Sequence, residues 1–225
     1  MTQSVDKALA FLAPPRGNYG AYLKPLDRHF SPIFCRLENI DTHRLTLYVG
    51  NFSRYGMLDA PIMHREIYLK AGVFPRILAD RFHYTVPDWK DMIGKGGGVL
   101  GSRESCRALM QAGQSIMVFP VGAREVVKGK GTNYQLLWRE RPGFVRMAVE
   151  NGYTIRPFSA VGADEAMRVL IFGDAIMGSL VGRIIKASEL QSAHLTVRRI
   201  PDFAGHWSDV VAATGALLFL IRQTH

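Results

Sequence analysis

Short apolar runs that end abruptly in glycine and polar residues recur along this 225-residue chain, and they restrict what it can fold into. The runs are RLTLYVG at 44–50, the Val99-Leu100 pair inside GGGVLGSRE, SIMVFP at 115–120 and TIRPFSAVG at 154–162. Their β-branched and aromatic content reads as buried strand, with breaks expected at Pro120 and Pro157. RLTLYVG is expected to be the first strand, after a loop rich in proline and glycine from Pro14 to Pro25. Segments with helical spacing lie between the runs. LDAPIMHREIYL offers Ile62, Ile67 and Leu69 as its apolar positions, with Asp59 near its start. SRESCRALMQAG opens at Ser102 and closes at Gly113, and GFVRMAVENG ends in a glycine stop. Strands alternating with helices predict an α/β sheet with crossover helices. The loops at 51–59, 101–104 and 120–131 each follow an apolar strand, so they should gather at one edge of that sheet, where α/β proteins place ligands.

With 48% hydrophobic content and no visible linker or repeat, one domain over residues 1–225 is expected. The formal charge of +9 favours an anionic contact, whether nucleic acid, bilayer headgroups or a phosphorylated substrate. The basic residues are scattered, the densest group being Lys128 and Lys130 beside Arg124, so a solvated basic face also fits. No aromatic-basic module or helix-turn-helix pattern supports nucleic acid. Cys35 and Cys106 lack metal spacing and read as reduced, buried thiols of a cytosolic protein. MTQSVDKALAFLAPP has an acid in its opening and a short apolar segment, unlike a secretory signal. The apolar run from Val210 holds about a dozen uncharged residues, against the roughly 20 needed to span a bilayer. Membrane contact would therefore be peripheral.

GGGVLG at 96–101 formally matches a dinucleotide-binding fingerprint, but DWKDMIGK before it reads as a helix end where that fingerprint needs a strand. A simpler reading makes Val99-Leu100 the strand and lets Ser102-Arg103 open the helix, placing a guanidinium beside free backbone N–H groups. Such a corner suits a phosphate. VFPVGAREVVKGKG sets Arg124, Glu125, Lys128 and Lys130 just past a buried strand, either to hold phosphate oxygens or as a solvated loop. No P-loop and no G-x-S-x-G elbow occurs. No histidine has metal-ligand spacing. His64 reads as a surface residue of its helix, and His83, flanked by aromatics, as a hydrogen-bonded structural imidazole; neither is identified as a base. MRVLIFGDAIMGSLVGRII reads equally as a core or an interfacial helix.

Taken in order, the loops resemble the glycerolipid acyltransferase superfamily. LYVGNFSRYGMLDAP is similar to its first block, an Asn-His pair followed by an aspartate; GVLGSR to the second, with its arginine at Arg103. MVFPVGARE is similar to the third, with Phe119, Pro120, Gly122 and Arg124 in place, and IRPFSAVG to the fourth, with its proline at Pro157. The blocks cover residues 45–162, leaving 1–43 and 190–225 divergent, and the tail from Arg199 to His225 does not read like the family's final strands. The nearest branch is that of diacylglycerol acyltransferase-like proteins and their bacterial relatives, whose third block commonly reads Phe-Pro-Gly-Gly-Ala-Arg-Glu.

The resemblance implies a mixed central sheet with flanking helices, and transfer of an acyl chain from acyl-CoA or acyl carrier protein to a lysophospholipid or related lipid alcohol. It implies no cofactor beyond that co-substrate and no metal, and the missing nucleic-acid modules leave no nucleic acid among the expected partners. The partners are a lipid substrate, an acyl donor that includes acyl carrier protein as one option, and the cytoplasmic face of a membrane, touched peripherally. In the family an imidazole oriented by the aspartate deprotonates the hydroxyl as it attacks the thioester, backbone donors hold the oxyanion and arginines hold phosphate. Carried over by position, the catalytic pair is Phe52 and Asp59, and the substrate-binding residues are Asn51, Ser102, Arg103, Gly122, Ala123, Arg124 and Glu125. Phe52 occupies the histidine position, and Val121 stands where the branch has glycine. A phenyl ring accepts no proton, and loss of a positioned base costs roughly 10²- to 10⁴-fold in rate. The alternative implied by Phe52 is a catalytically silent lipid-binding protein.

Overall fold

A computed structural model describes residues 5–51, 59–84, 89–120, 142–161 and 217–220. The described strands are β1 (Ile33–Cys35), β2 (Thr46–Gly50), β3 (Arg76–Ala79), β4 (Val99–Leu100), β5 (Ile116–Val118), β6 (Thr154–Val161) and β7 (Leu217–Leu220). They form one sheet in the order β1-β7-β6-β2-β5-β3-β4. Only the β1–β7 pair is antiparallel, so the sheet is mixed, as expected. The α-helices are α1 (Val5–Leu9), α2 (Lys24–Phe30), α3 (Asp59–Ala71), α4 (Trp89–Lys95), α5 (Arg103–Gln111) and α6 (Gly143–Asn151).

β2 and β5 are almost wholly apolar, as strands covered by helices on both faces must be. Side chains alternate along a strand. Tyr48 and Met117 therefore join Ile62, Met63 and Ile67 of α3 in one cluster. Leu47, Val49, Ile116 and Val118 meet Leu109 and Met110 of α5 and Met147 of α6 in another. Each such burial stabilises the fold by about 1.5–3 kcal/mol. The helix boundaries follow their sequence signals. Ser102 caps α5, its Oγ accepting from the Ser105 amide at 3.0 Å, and Gly152 ends α6 with a φ of 68° that disfavours any side chain.

Several expectations are corrected. RLTLYVG is the second strand, since β1 precedes it, and the Pro14–Pro25 stretch holds two 3-10 turns and the start of α2. The tail carries none of the family blocks, yet it supplies β7 between β1 and β6. Pro157 does not interrupt its strand; β6 runs through it. The amide of Thr154 donates to Leu45 and that of Ala160 to Asn51, both on the β2 side. By the two-residue period, the nitrogen of Pro157 faces the other flank, where pairing with β7 begins only at Phe158. Among the described residues no ladder bond is lost there.

Candidate active site

The parallel run of β2, β3, β4, β5 and β6 brings Gly50, Ala79, Leu100, Val118 and Val161 to one edge of the sheet. The beginnings of all three expected loops therefore lie there: Asn51, the 101–104 corner and Pro120. β2 and β5 are neighbours, whereas β4 is three strand steps from β2, roughly 14 Å at the usual spacing. The site is an elongated edge.

At its centre the Asn51 side chain extends the β2–β6 ladder past the Gly50–Phe158 pair. Its Nδ2 donates to the Ala160 carbonyl at 2.9 Å, and its Oδ1 accepts from the Ala160 amide at 2.9 Å. The backbone entering position 52 is clamped by this pair. Sequence reading placed Asn51 among substrate contacts and missed the clamp, because Ala160 is remote in sequence. Ala160 is buried. Asn51→Ala should destabilise the protein by about 1–3 kcal/mol, the cost of leaving buried backbone groups without partners, as read from urea denaturation. Beneath the clamp, a Cβ on Gly50 would lie 2.2 Å from the Phe158 ring, so only glycine admits that ring. Phe158 packs edge-on against Phe119 with centroids 5.6 Å apart, giving the edge an apolar floor.

The second element is the start of α5. Ser102 Oγ also donates to Ser105 Oγ at 2.9 Å, and Gly101 approaches β3 closely, its amide 2.8 Å from the Ala79 carbonyl. Arg103 is exposed at the first helical position, beside the positive end of the helix. The Ser102-Arg103 corner is thus placed as its sequence suggests. Asp59 opens α3, and its carboxylate lies outside the description. Phe52, Gly122, Ala123, Arg124 and Glu125 lie outside the described residues, as do Val121, Lys128, Lys130 and all of MRVLIFGDAIMGSLVGRII.

The histidines divide. His64 is buried at 1% exposure, which corrects its reading as a surface residue. Its Nε2 donates to the Pro75 carbonyl at 2.7 Å, and its Nδ1 accepts from the Tyr19 hydroxyl at 2.8 Å. Pro75 precedes β3, at the edge opposite the site, so this imidazole has neither the location nor the lone pair of a base. Burial lowers its pKa to about 4. His83 instead follows β3 within the Arg81–Tyr84 turn, on the same edge as Gly50. Burial lowers its pKa too, partly opposed by Asp80, so it is neutral near pH 7. Cys106 is buried and pushed up to about 11 by desolvation, whereas Cys35 is only half-buried; both are free thiols.

An open, largely parallel sheet defines an α/β protein, the class that places ligands at the carboxyl ends of its strands. The chain belongs to the diacylglycerol acyltransferase family, whose model matches residues 48–188. It is similar to phytyl ester synthase 2, chloroplastic, of Arabidopsis thaliana, with 31% identity over 142 residues, covering 60% of this chain and 20% of the relative. Phytyl ester synthase 1, chloroplastic, of the same plant is 30% identical over 115 residues, 51% of this chain and 16% of the relative. Diacylglycerol O-acyltransferase 2B of Umbelopsis ramanniana is 28% identical over 117 residues, 51% of this chain and 33% of the relative. The matched regions thus span only 16% to 33% of these curated relatives' own lengths. No solved structure gives a significant match.

Proposed function

We propose that the carboxyl edge of the sheet binds an acyl thioester and a lipid alcohol and supports acyl transfer from the one to the other. The lipid oxygen forms the new ester bond, the thioester C–S bond breaks, and the hydroxyl proton ends on the departing thiol. The donor is acyl-CoA or acyl carrier protein, and the acceptor a lysophospholipid or related lipid alcohol. The arrangement that carries this reading is the Asn51-clamped end of β2 on one edge with the Ser102-Arg103 corner, in a chain of this family. The relatives' names point the same way: both phytyl ester synthase and diacylglycerol O-acyltransferase denote esters of lipid alcohols.

In this reading Arg103 and the first amides of α5 hold a phosphate of the donor or acceptor, and the floor of Phe119 and Phe158 meets the acyl chain. The test is transfer of radiolabelled acyl groups from acyl-CoA and from acyl carrier protein to lysophosphatidate, diacylglycerol and phytol in vesicles. Arg103→Gln should raise the KM of the phosphate-bearing substrate about tenfold, the scale of one charged hydrogen bond. Absence of product from every pair, with wild type and with Phe52→His alike, would sink the enzymatic reading.

Phe52 favours a second reading, a silent lipid-binding protein that keeps the acyl and phosphate pockets. A co-purifying lipid identified by mass spectrometry, together with no turnover by the wild type, would select it. Both readings place the chain peripherally on the cytoplasmic face of a membrane. Among the described residues no helix is long and apolar enough to cross one. Flotation with anionic vesicles should weaken as salt rises, because the attraction rests on a chain of formal charge +9. Unchanged flotation in high salt would mean apolar insertion instead.

A further inference from the structure

A cleft of about 320 Å³ opens at the edge of the sheet opposite the candidate active site. It lies where Leu45 leads into β2, Arg76 begins β3, and Gln114 and Ser115 lead into β5. β2 is five residues long, and at roughly 3.3 Å per residue the two edges stand about 16 Å apart. A molecule in this cleft is therefore clear of the acyl-transfer edge. Its volume is at the small end of the range for ligand pockets.

The polar side of the cleft is cationic. Arg76 is only 3% exposed, and its guanidinium donates to neutral acceptors: Nε to the Gly97 carbonyl at 2.7 Å, Nη1 to the Ala8 carbonyl at 2.9 Å and to Gln114 Oε1 at 2.7 Å. Among the described residues no carboxylate forms an ion pair with it. A buried charge without a counterion is unfavourable, and burial accordingly lowers the pKa of this group. These bonds tie α1 and the turn before β4 to the sheet, and among the described residues they bring no negative charge to this guanidinium at the wall of an open space. At the exposed rim, Asp41 shapes the turn that carries His43 and Arg44, accepting from the His43 amide at 2.9 Å and pairing with Arg44 Nε at 3.2 Å. The other wall is apolar, formed by Phe11, Val73 and Phe74, with the Arg76 guanidinium 4.6 Å over the Phe11 ring. None of the described residues lining the cleft is acidic.

We propose that this cleft is a second ligand site, taking an amphiphile whose compact anionic head, phosphate or carboxylate, faces Arg76 and Arg44 while its alkyl end lies on the Phe11–Phe74 wall. An anion there supplies a counterion that no described residue gives Arg76, and the aromatic wall distinguishes an amphiphile from a free inorganic ion. The site is independent of acyl transfer, so it stands whether or not the opposite edge turns over substrate.

The test is calorimetric titration of the full chain with decyl phosphate, decanoate, inorganic phosphate and decanol. Decyl phosphate or decanoate should bind, whichever is tighter identifying the head as phosphate or carboxylate. Inorganic phosphate should bind at least tenfold more weakly, and decanol should not bind measurably. Thr42→Trp, which fills the mouth from an exposed position, should weaken the amphiphile at least tenfold, and Arg44→Gln at least threefold, each measured in an Arg103→Gln background so that phosphate held at the opposite edge does not contribute. Arg76→Lys tests the buried cation directly; because it could fail to fold, the Thr42 and Arg44 variants carry the decision. Wild-type affinity in Thr42→Trp would overturn the proposal. So would decanol binding as tightly as the anionic amphiphiles, or loss of binding in Arg103→Gln alone.

Discussion

Phe52→His should raise acyl transfer at least tenfold, and by as much as 10²- to 10⁴-fold, the range typical of a positioned general base. The clamp from Asn51 to Ala160 fixes the backbone immediately before position 52, so the new imidazole would start from a defined strand end. Asp59 begins the next described helix, α3. The gain should appear mainly in kcat, since a proton acceptor acts in the transition state. The restored rate should fall as pH drops below about 6.5, the ordinary imidazole pKa. His64 cannot provide background activity from its buried position at the far edge. His83 can, because it is on the site edge and neutral near pH 7. Wild-type activity that disappears in His83→Gln would assign the base to His83, and equal rates for Phe52→His and wild type would show that position 52 is not where the proton is taken.

Stability should decline by about 3 kcal/mol as pH falls from about 6.5 to about 4, through His64 alone. The folded pKa is about 4 because the ring is buried, whereas the unfolded ring titrates near 6.5. Above that window both states are neutral and the group is silent. Within it the unfolded chain binds a proton that the folded chain refuses, so unfolding becomes progressively more favourable. Below about 4 both states are protonated and the contribution levels off. Protonation would also deprive the Tyr19 hydroxyl of its acceptor at Nδ1. His83, lowered in the same direction, adds to the slope. Urea midpoints measured across this range should show the decline, and His64→Gln should flatten it; an unchanged slope in that variant would exclude His64 as the source.

The misreading of His64 shows where local pattern stops being informative. Helical spacing marks the apolar positions of α3 correctly at Ile62 and Ile67, but it assumes one face of the helix meets water. In the structure Ala60 and every residue from Ile62 to Tyr68 are buried. The N-terminal segment folds over the outer face: Asp27 grips Arg65 with two bonds of 2.7 and 2.8 Å, and the Tyr68 hydroxyl donates to the Pro14 carbonyl at 2.6 Å. Polar residues paired in this way look, from sequence, like a solvated face. β3 escaped notice for a related reason, since a four-residue strand opening on arginine has little signal of its own.

Residue order alone was enough for the α/β class, the central strands, the Ser102 cap and the ordered blocks of the acyltransferase family, because these depend on periodicity and turn chemistry within a few residues. Tertiary structure alone decided that Asn51 clamps β6, that Pro157 sits harmlessly within a paired strand, that β7 comes from the far tail, and that His64 and His83 fall on opposite edges. Each of these depends on which distant segment lies alongside, and contacts across 100 residues or more leave no trace in local pattern.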